Sequence, residues 1–293
     1  MANQYLHYVS SNEKIFDLYD FDSAKLYKAD FHNVAWNPET VDKQYGTIIN
    51  RFTKSAQTFD CTFRFKGDPA KRKEQIDAFI FEAENDIAKM SPGRIYWGWQ
   101  YIDVYFLAHD CYPVDSGMGW TELKGKFYAP FPFWIEEVKT HIDPSSGVAP
   151  EQGLPKDVKG YPLDRNLSYG YTYSYPYGVN SGVYYVDSPI GADFSVVIYG
   201  PITYFKMQIA GNNYQINYPL RTGEKLIVDS RDILPLDKKC YVLEENGDEV
   251  NVFDYRDPTS SLFKRLPGGE IVIVCNQPYV MDIILYLERS API

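Results

Sequence analysis

Phe59-Asp60-Cys61-Thr62-Phe63-Arg64-Phe65-Lys66-Gly67-Asp68-Pro69 is the stretch that decides the fold. Its first eight residues alternate apolar and polar without a break, the period-two pattern of a strand with one buried face. Phe59, Cys61, Phe63 and Phe65 form that face, and Cys61 among phenylalanines reads as a small buried hydrophobe. Gly67 then interrupts the strand, Asp68 supplies a helix N-cap and Pro69 a first helical residue. A helix is therefore expected from Asp68 to Met90, with Ile76, Phe79, Ile80, Ala83, Ile87 and Met90 as its apolar stripe and Ser91-Pro92-Gly93 as its end.

Further strands are expected on either side of turns: Ile95-Tyr96-Trp97, Tyr101 to Ala108 and Thr121 to Tyr128, with Gly117-Met118-Gly119 read as a turn. The first part of the chain is thus a sheet with one helix packed on it. Between His141 and Lys159 the composition shifts to proline, glycine, serine and charge, as in Asp143-Pro144-Ser145-Ser146-Gly147, which marks a linker. Beyond it short strands recur at Phe194 to Tyr199, Lys225 to Val228, Cys240 to Leu243, Ile271 to Cys275 and Asp282 to Leu287, the pattern of a β-sandwich. The expected organisation is a first domain over 1–140, a linker over 141–160 and a second domain over 161–293. Two domains also suit 293 residues at about 150 residues per domain.

Composition narrows the function. With 45% hydrophobic and 23% charged residues the chain can bury substantial cores. The 26 tyrosines and 17 phenylalanines exceed what one core requires, which points to β structure and broad contact surfaces. A net charge of −10 argues against nucleic acid as a partner, and Lys71-Arg72-Lys73 reads as a solvated helix face. Residues Met1 to Ser10 show no targeting pattern, and no apolar run approaches the ~20 residues of a membrane span, so assembly in a cytoplasm is expected.

The sequence is poor in reactive patterns. His7, His32, His109 and His141 stand singly, and Cys61, Cys111, Cys240 and Cys275 form no closely spaced pair. No nucleophile elbow or phosphate-binding loop is present. Asp229 ends Leu226-Ile227-Val228 and reads as a turn cap rather than a catalytic acid. No catalytic, cofactor-binding or metal-ligating residue is expected. In Tyr169-Gly170-Tyr171-Thr172-Tyr173-Ser174-Tyr175-Pro176-Tyr177, five tyrosines recur at spacing two. They suit packing against the sandwich or a neighbouring protein, and as the alternative a stacking platform for sugar rings.

The second half resembles the C-terminal, galectin-like domain of the distal tail protein family of long-tailed, non-contractile bacteriophages. The resemblance runs in order through Tyr199-Gly200-Pro201, Asn213-Tyr214-Gln215-Ile216 and Gly223-Glu224-Lys225-Leu226-Ile227-Val228-Asp229-Ser230. It continues through Asn246-Gly247, Asn251-Val252-Phe253, Ser261-Leu262-Phe263, Leu266-Pro267-Gly268-Gly269 and Leu287-Glu288-Arg289. The first half is similar to the family's belt domain, with Phe127-Tyr128-Ala129-Pro130-Phe131-Pro132-Phe133-Trp134 as its closing strand. Asn37-Pro38 to Tyr45-Gly46 stands where the family has a more regular proline-glycine loop, and Gly268-Gly269-Glu270 replaces a glycine followed shortly by asparagine. No long insertion interrupts residues 190–293, so the extra carbohydrate-binding module of enlarged members is expected to be absent.

The resemblance implies a mainly β protein, a belt domain with one α-helix followed by a galectin-like β-sandwich. It implies a non-enzymatic virion structural protein of the baseplate, a hexameric ring joining tail tube to tail tip. Its partners would be copies of itself, the tube protein and a tail-tip or tail-associated protein, with no nucleic acid, no membrane and at most a weak glycan contact. Recognition of host cell-wall polysaccharide is the alternative function.

Overall fold

The computed structural model describes residues 6–20, 24–111, 119–142, 181–232, 239–275, 277 and 279–292. The tyrosine run and most of the linker, with Gly117 and Met118, lie outside the described residues. The chain divides into two compact units, residues 1–136 with 289–293, and residues 137–288.

The first unit is built from β1 (Leu6–Val9), β2 (Ile15–Asp17), β3 (Ala24–Ala29), β4 (Asn37–Asp42), β5 (Thr47–Thr53), β6 (Gln57–Lys66), α1 (Pro69–Ala88), β7 (Gly93–Trp97), β8 (Gln100–Cys111), β9 (Trp120–Ala129) and the start of β10 (Trp134–Ile142). All its pairings are antiparallel. β3, β6, β9 and the second half of β8 form one run, in which Phe63 of β6 faces Leu26 of β3 and Leu123 of β9. The first half of β8 turns to pair with β7, and β7 with β1. Ile135 and Glu136 of β10 pair with Tyr101 and Gln100.

β6 alternates as its sequence requires, with Phe59, Cys61, Phe63 and Phe65 buried and Asp60, Arg64 and Lys66 outward. Burial pushes the Cys61 thiol up to about 12, so it is inert packing. Asp68 caps the helix, its carboxylate accepting from the Lys71 N–H at 2.9 Å, with Pro69 in the first turn. Against β6, β8 and β9 the helix presents Ile76, Phe79 and Ala83.

The far end of the helix departs from the expected stripe. Ile87 and Met90 are exposed, and the helix stops at Ala88, after which Met90 adopts a left-handed φ of 50°. The inward line runs through 72, 76, 79, 83 and 86, steps of four and three, and Ile87 lies one residue, about 100° of rotation, away from it. Its last inward positions are filled by carboxylates instead. Asp86, fully buried, accepts from the Tyr8 hydroxyl and, at 2.8 Å, from the Ser11 N–H. Glu82 accepts from Asn12 at 2.9 Å. The helix thereby holds the turn after β1 by polar contacts, and burial together with Asp86 raises the Tyr8 pKa.

The second unit contains β11 (Ser181–Val186), β12 (Ala192–Tyr199), β13 (Phe205–Ile209), β14 (Asn212–Ile216), β15 (Lys225–Asp229), β16 (Cys240–Leu243), β17 (Glu249–Asn251), β18 (Gly269–Cys275) and β19 (Met281–Arg289). Two antiparallel sheets, one running β17-β16-β15-β12-β19 and the other β11-β18-β13-β14, share a single core. Phe194, Val196, Ile198 and Ile283 come from the first sheet and Phe205, Met207, Ile209, Ile271 and Ile273 from the second, the alternation of a β-sandwich. Asn246-Gly247 turns β16 into β17, Gly247 at φ 92° and the Asn246 side-chain Oδ1 accepting from the Asp248 N–H. Gly268 is glycine because a Cβ there would strike the Ser188 carbonyl oxygen.

In this unit Asp282 of β19 is almost wholly buried and takes three donors: His141 Nδ1 at 2.7 Å, Lys139 Nζ at 2.9 Å and the Tyr199 hydroxyl at 2.9 Å. Burial alone would raise its pKa, but the bonds from His141, Lys139 and Tyr199 outweigh it and hold the carboxyl below the ordinary value of 3.8. A depressed carboxyl stabilises the fold fully above its unfolded value and loses that contribution as pH falls through the folded one. Asp282→Asn is therefore expected to cost on the order of 1–3 kcal/mol at neutral pH and to flatten the acid destabilisation of this unit below pH 3.8. Calorimetric melts of the full chain from pH 7 to pH 2.5 check it; equal acid sensitivity in both proteins would refute the assignment.

Candidate assembly surface

Among the described residues β4 and β5 pair only with each other. Every residue of β4 is exposed and only Thr53 of β5 is partly covered. The turn between them closes with the Lys43 N–H donating to the Gly46 carbonyl at 2.9 Å, Gly46 taking φ 87°. A cross-strand fork stiffens the ribbon, Arg51 donating to both oxygens of Glu39 at 2.6 and 2.9 Å. The segment from Asn37 to Gly46, expected as a loop, is therefore mostly the first strand of a hairpin, with Pro38 tolerated because that strand is at an edge.

The ribbon is apolar on both sides. Val41 faces Ile48 in register, whereas Thr40 faces Ile49 and Pro38 faces Phe52, so alternation puts Val41 and Ile48 on one side and Ile49 and Phe52 on the other. Each of these four hydrophobes is 44–57% exposed, and Tyr45 at the tip is 90% exposed. A two-stranded ribbon has marginal stability in water and does not keep two apolar faces wet without a cost.

Its base is anchored. Trp36 meets Phe133 edge-on at 5.9 Å, and Phe131 packs on Phe133 at 5.1 Å. Lys54, just after β5, lies over the Phe133 ring at 4.7 Å and donates to the Pro132 and Ser290 carbonyls. Half-burial pulls its pKa down to about 8. The hairpin thus projects from a fixed root, and its faces are available for intermolecular contact.

Residues that could have carried chemistry are placed in structural roles. Asp229 accepts from the Arg231 N–H at 3.0 Å and from its guanidinium at 2.7 Å, the turn cap expected of it. His7 stacks on Tyr96, His32 meets Trp97 edge-on, His109 stacks on Phe106 and His141 binds Asp282. Cys240 and Cys275 are buried, their thiols pushed up to about 12. Among the described residues no three His, Cys, Asp or Glu side chains gather in a metal-binding group, and no helix is long and apolar enough to cross a membrane. Sequence reading passed over β4–β5 because Ile48 and Ile49 are adjacent, which breaks the one-sided alternation; the signal was the Tyr45-Gly46 turn between two short polar-apolar runs.

No protein-family model and no curated protein matches the chain. Solved structures do. The Dit protein of phage SPP1, described as a paradigm of the hub adsorption apparatus in phages infecting Gram-positive bacteria, superposes with a TM-score of 0.60 at 12% identity, over 97% of this chain and 99% of that one. A chain of the phage P2 baseplate in its activated conformation with Ca gives 0.62 at 9% identity, over 98% and 99%. The corresponding Sr form gives 0.61 at 10% identity, over 98% and 99%. The chain has the fold of phage Dit and baseplate proteins.

Proposed function

We propose that the chain is a non-enzymatic distal tail protein of a long-tailed phage, six copies of which close a ring that joins the tail tube to the tail tip. The observation that carries this reading is the β4–β5 hairpin, a rooted ribbon with hydrophobes on both faces and, among the described residues, no further partner strand. A closed ring needs a heterologous contact, one surface of each copy meeting a different surface of the next, and a projecting two-sided ribbon is suited to be one of the two. The fold shared along the whole chain with phage hub and baseplate proteins supports the same role.

In this reading the first unit is the ring-forming belt domain and the second the galectin-like domain at the ring's rim, with the tube protein and a tail-tip protein as neighbours in the virion. Light scattering on the purified full chain is expected to give six times the chain mass of 33.8 kDa. A monomer at micromolar concentration would remove the intrinsic ring.

A further inference from the structure

The chain's net charge of −10 is unevenly spread. On β3, β6 and β9 the outward positions carry Lys25, Lys28, Arg64, Lys66, Lys124 and Lys126. Against these six cations the same strands carry only Asp60 and Glu122, a local charge of +4, so the rest of the chain carries −14. Pairing sets the cations in rows: Lys28 faces Thr62 and Thr62 faces Lys124, which puts the two lysines roughly 10 Å apart across one strand. Beside this row a depression of about 340 Å³ opens, walled by Lys28, Lys124 and Lys126, with Thr62, Asp60 and Asp110 beside them.

One end of this face is stiff and aromatic. The Arg64 guanidinium lies 3.4 Å from the centre of the Tyr27 ring and 4.6 Å from that of Trp120, and donates to Glu122 at 3.0 Å. Tyr27 itself is 56% exposed. Pre-ordered Arg, Tyr and Trp side chains lose little entropy on binding and are enriched where partners bind.

We propose that the outward face of β3, β6 and β9 is a docking surface for an acidic segment of another protein, with a side-chain carboxylate seated between Lys28 and Lys124 over Thr62. Charge complementarity selects the occupant. A continuous phosphate backbone would run against Asp60, Glu122 and Asp110 and be repelled by the net negative charge of the remainder. Separately placed carboxylates can instead alternate with them.

The test uses the full chain and a fluorescently labelled decaglutamate peptide, followed by anisotropy at low ionic strength. Binding is expected, weakened by 0.3 M salt, and about tenfold weaker in Lys28→Glu/Lys124→Glu. Lys71→Glu/Lys73→Glu, which makes the same charge change on the exposed helix face, is expected to bind as the parent does. Absence of peptide binding, or equal loss in the two variants, would overturn the proposal. So would tighter, Lys28- and Lys124-dependent binding of an oligothymidylate, which would assign the face to nucleic acid. A fall in the assembly mass of Lys28→Glu/Lys124→Glu alone would place the face between copies of this chain and remove the separate partner.

Discussion

Ile49→Glu/Phe52→Glu is expected to convert the assembly to monomers at micromolar concentration while leaving the melting of the chain unchanged. Both side chains lie on one face of the β4–β5 ribbon and are more than half exposed within the chain, so the substitutions remove little intramolecular packing. In an interface the balance differs. Burying an Ile or Phe side chain contributes about 1.5–3 kcal/mol, and an unpaired carboxylate forced into the same place costs several kcal/mol more. A loss above about 4 kcal/mol per contact weakens association by at least 1000-fold. Stable contacts of this kind bury roughly 800 Å² on each partner, and a ribbon with apolar residues on both faces can supply much of it. Tyr45→Ser, at the tip, tests whether the contact extends to the turn. Light scattering with a thermal melt separates the outcomes: an unchanged mass would show that the hairpin is not a ring contact.

Phe63→Ala is expected to destabilise the first unit by about 3–5 kcal/mol, and Thr62→Ala by less than about 1 kcal/mol. Phe63 is fully buried, its ring 5.2 Å from Phe79, 5.9 Å from Phe127 and 6.0 Å from Phe106, so truncation empties the place where the helix meets three strands. Thr62 points to the opposite face. The measurement needs no fragment. All five tryptophans, Trp36, Trp97, Trp99, Trp120 and Trp134, fall within residues 1–136, so tryptophan fluorescence during denaturant unfolding reports the first unit alone. Equal losses from the two substitutions would mean that the faces of β6 are reversed.

The β4–β5 hairpin and the core residue differ in what made them visible. Phe63 could be placed from Phe59 to Lys66 alone, because strand alternation and the Asp68-Pro69 helix start depend on neighbours within a few residues. The Asn246-Gly247 turn, the burial of Cys61 and the capping role of Asp229 were legible for the same reason: each rests on backbone conformation or on a side chain reaching two or three positions along the chain. The order of short strands beyond residue 190 sufficed for a sandwich, since a sheet with alternating faces has to cover one of them.

Other features depended on register between distant segments. Asp86 and Glu82 lie inward at the helix end, where the stripe was expected to run on through Ile87 and Met90, because the turn after β1, some 70 residues earlier, supplies their donors. Asp282 is held by Lys139, His141 and Tyr199, three residues that no local pattern connects. The basic face arises only when residues 24–29, 57–66 and 120–129 lie side by side, and within any one of these strands its lysines look like an ordinary solvated edge. Local periodicity therefore determined which residues face inward within each element. Tertiary pairing alone decided which polar groups meet there and which outward faces are left for other molecules, because those contacts are set by strand register rather than by neighbours in the chain.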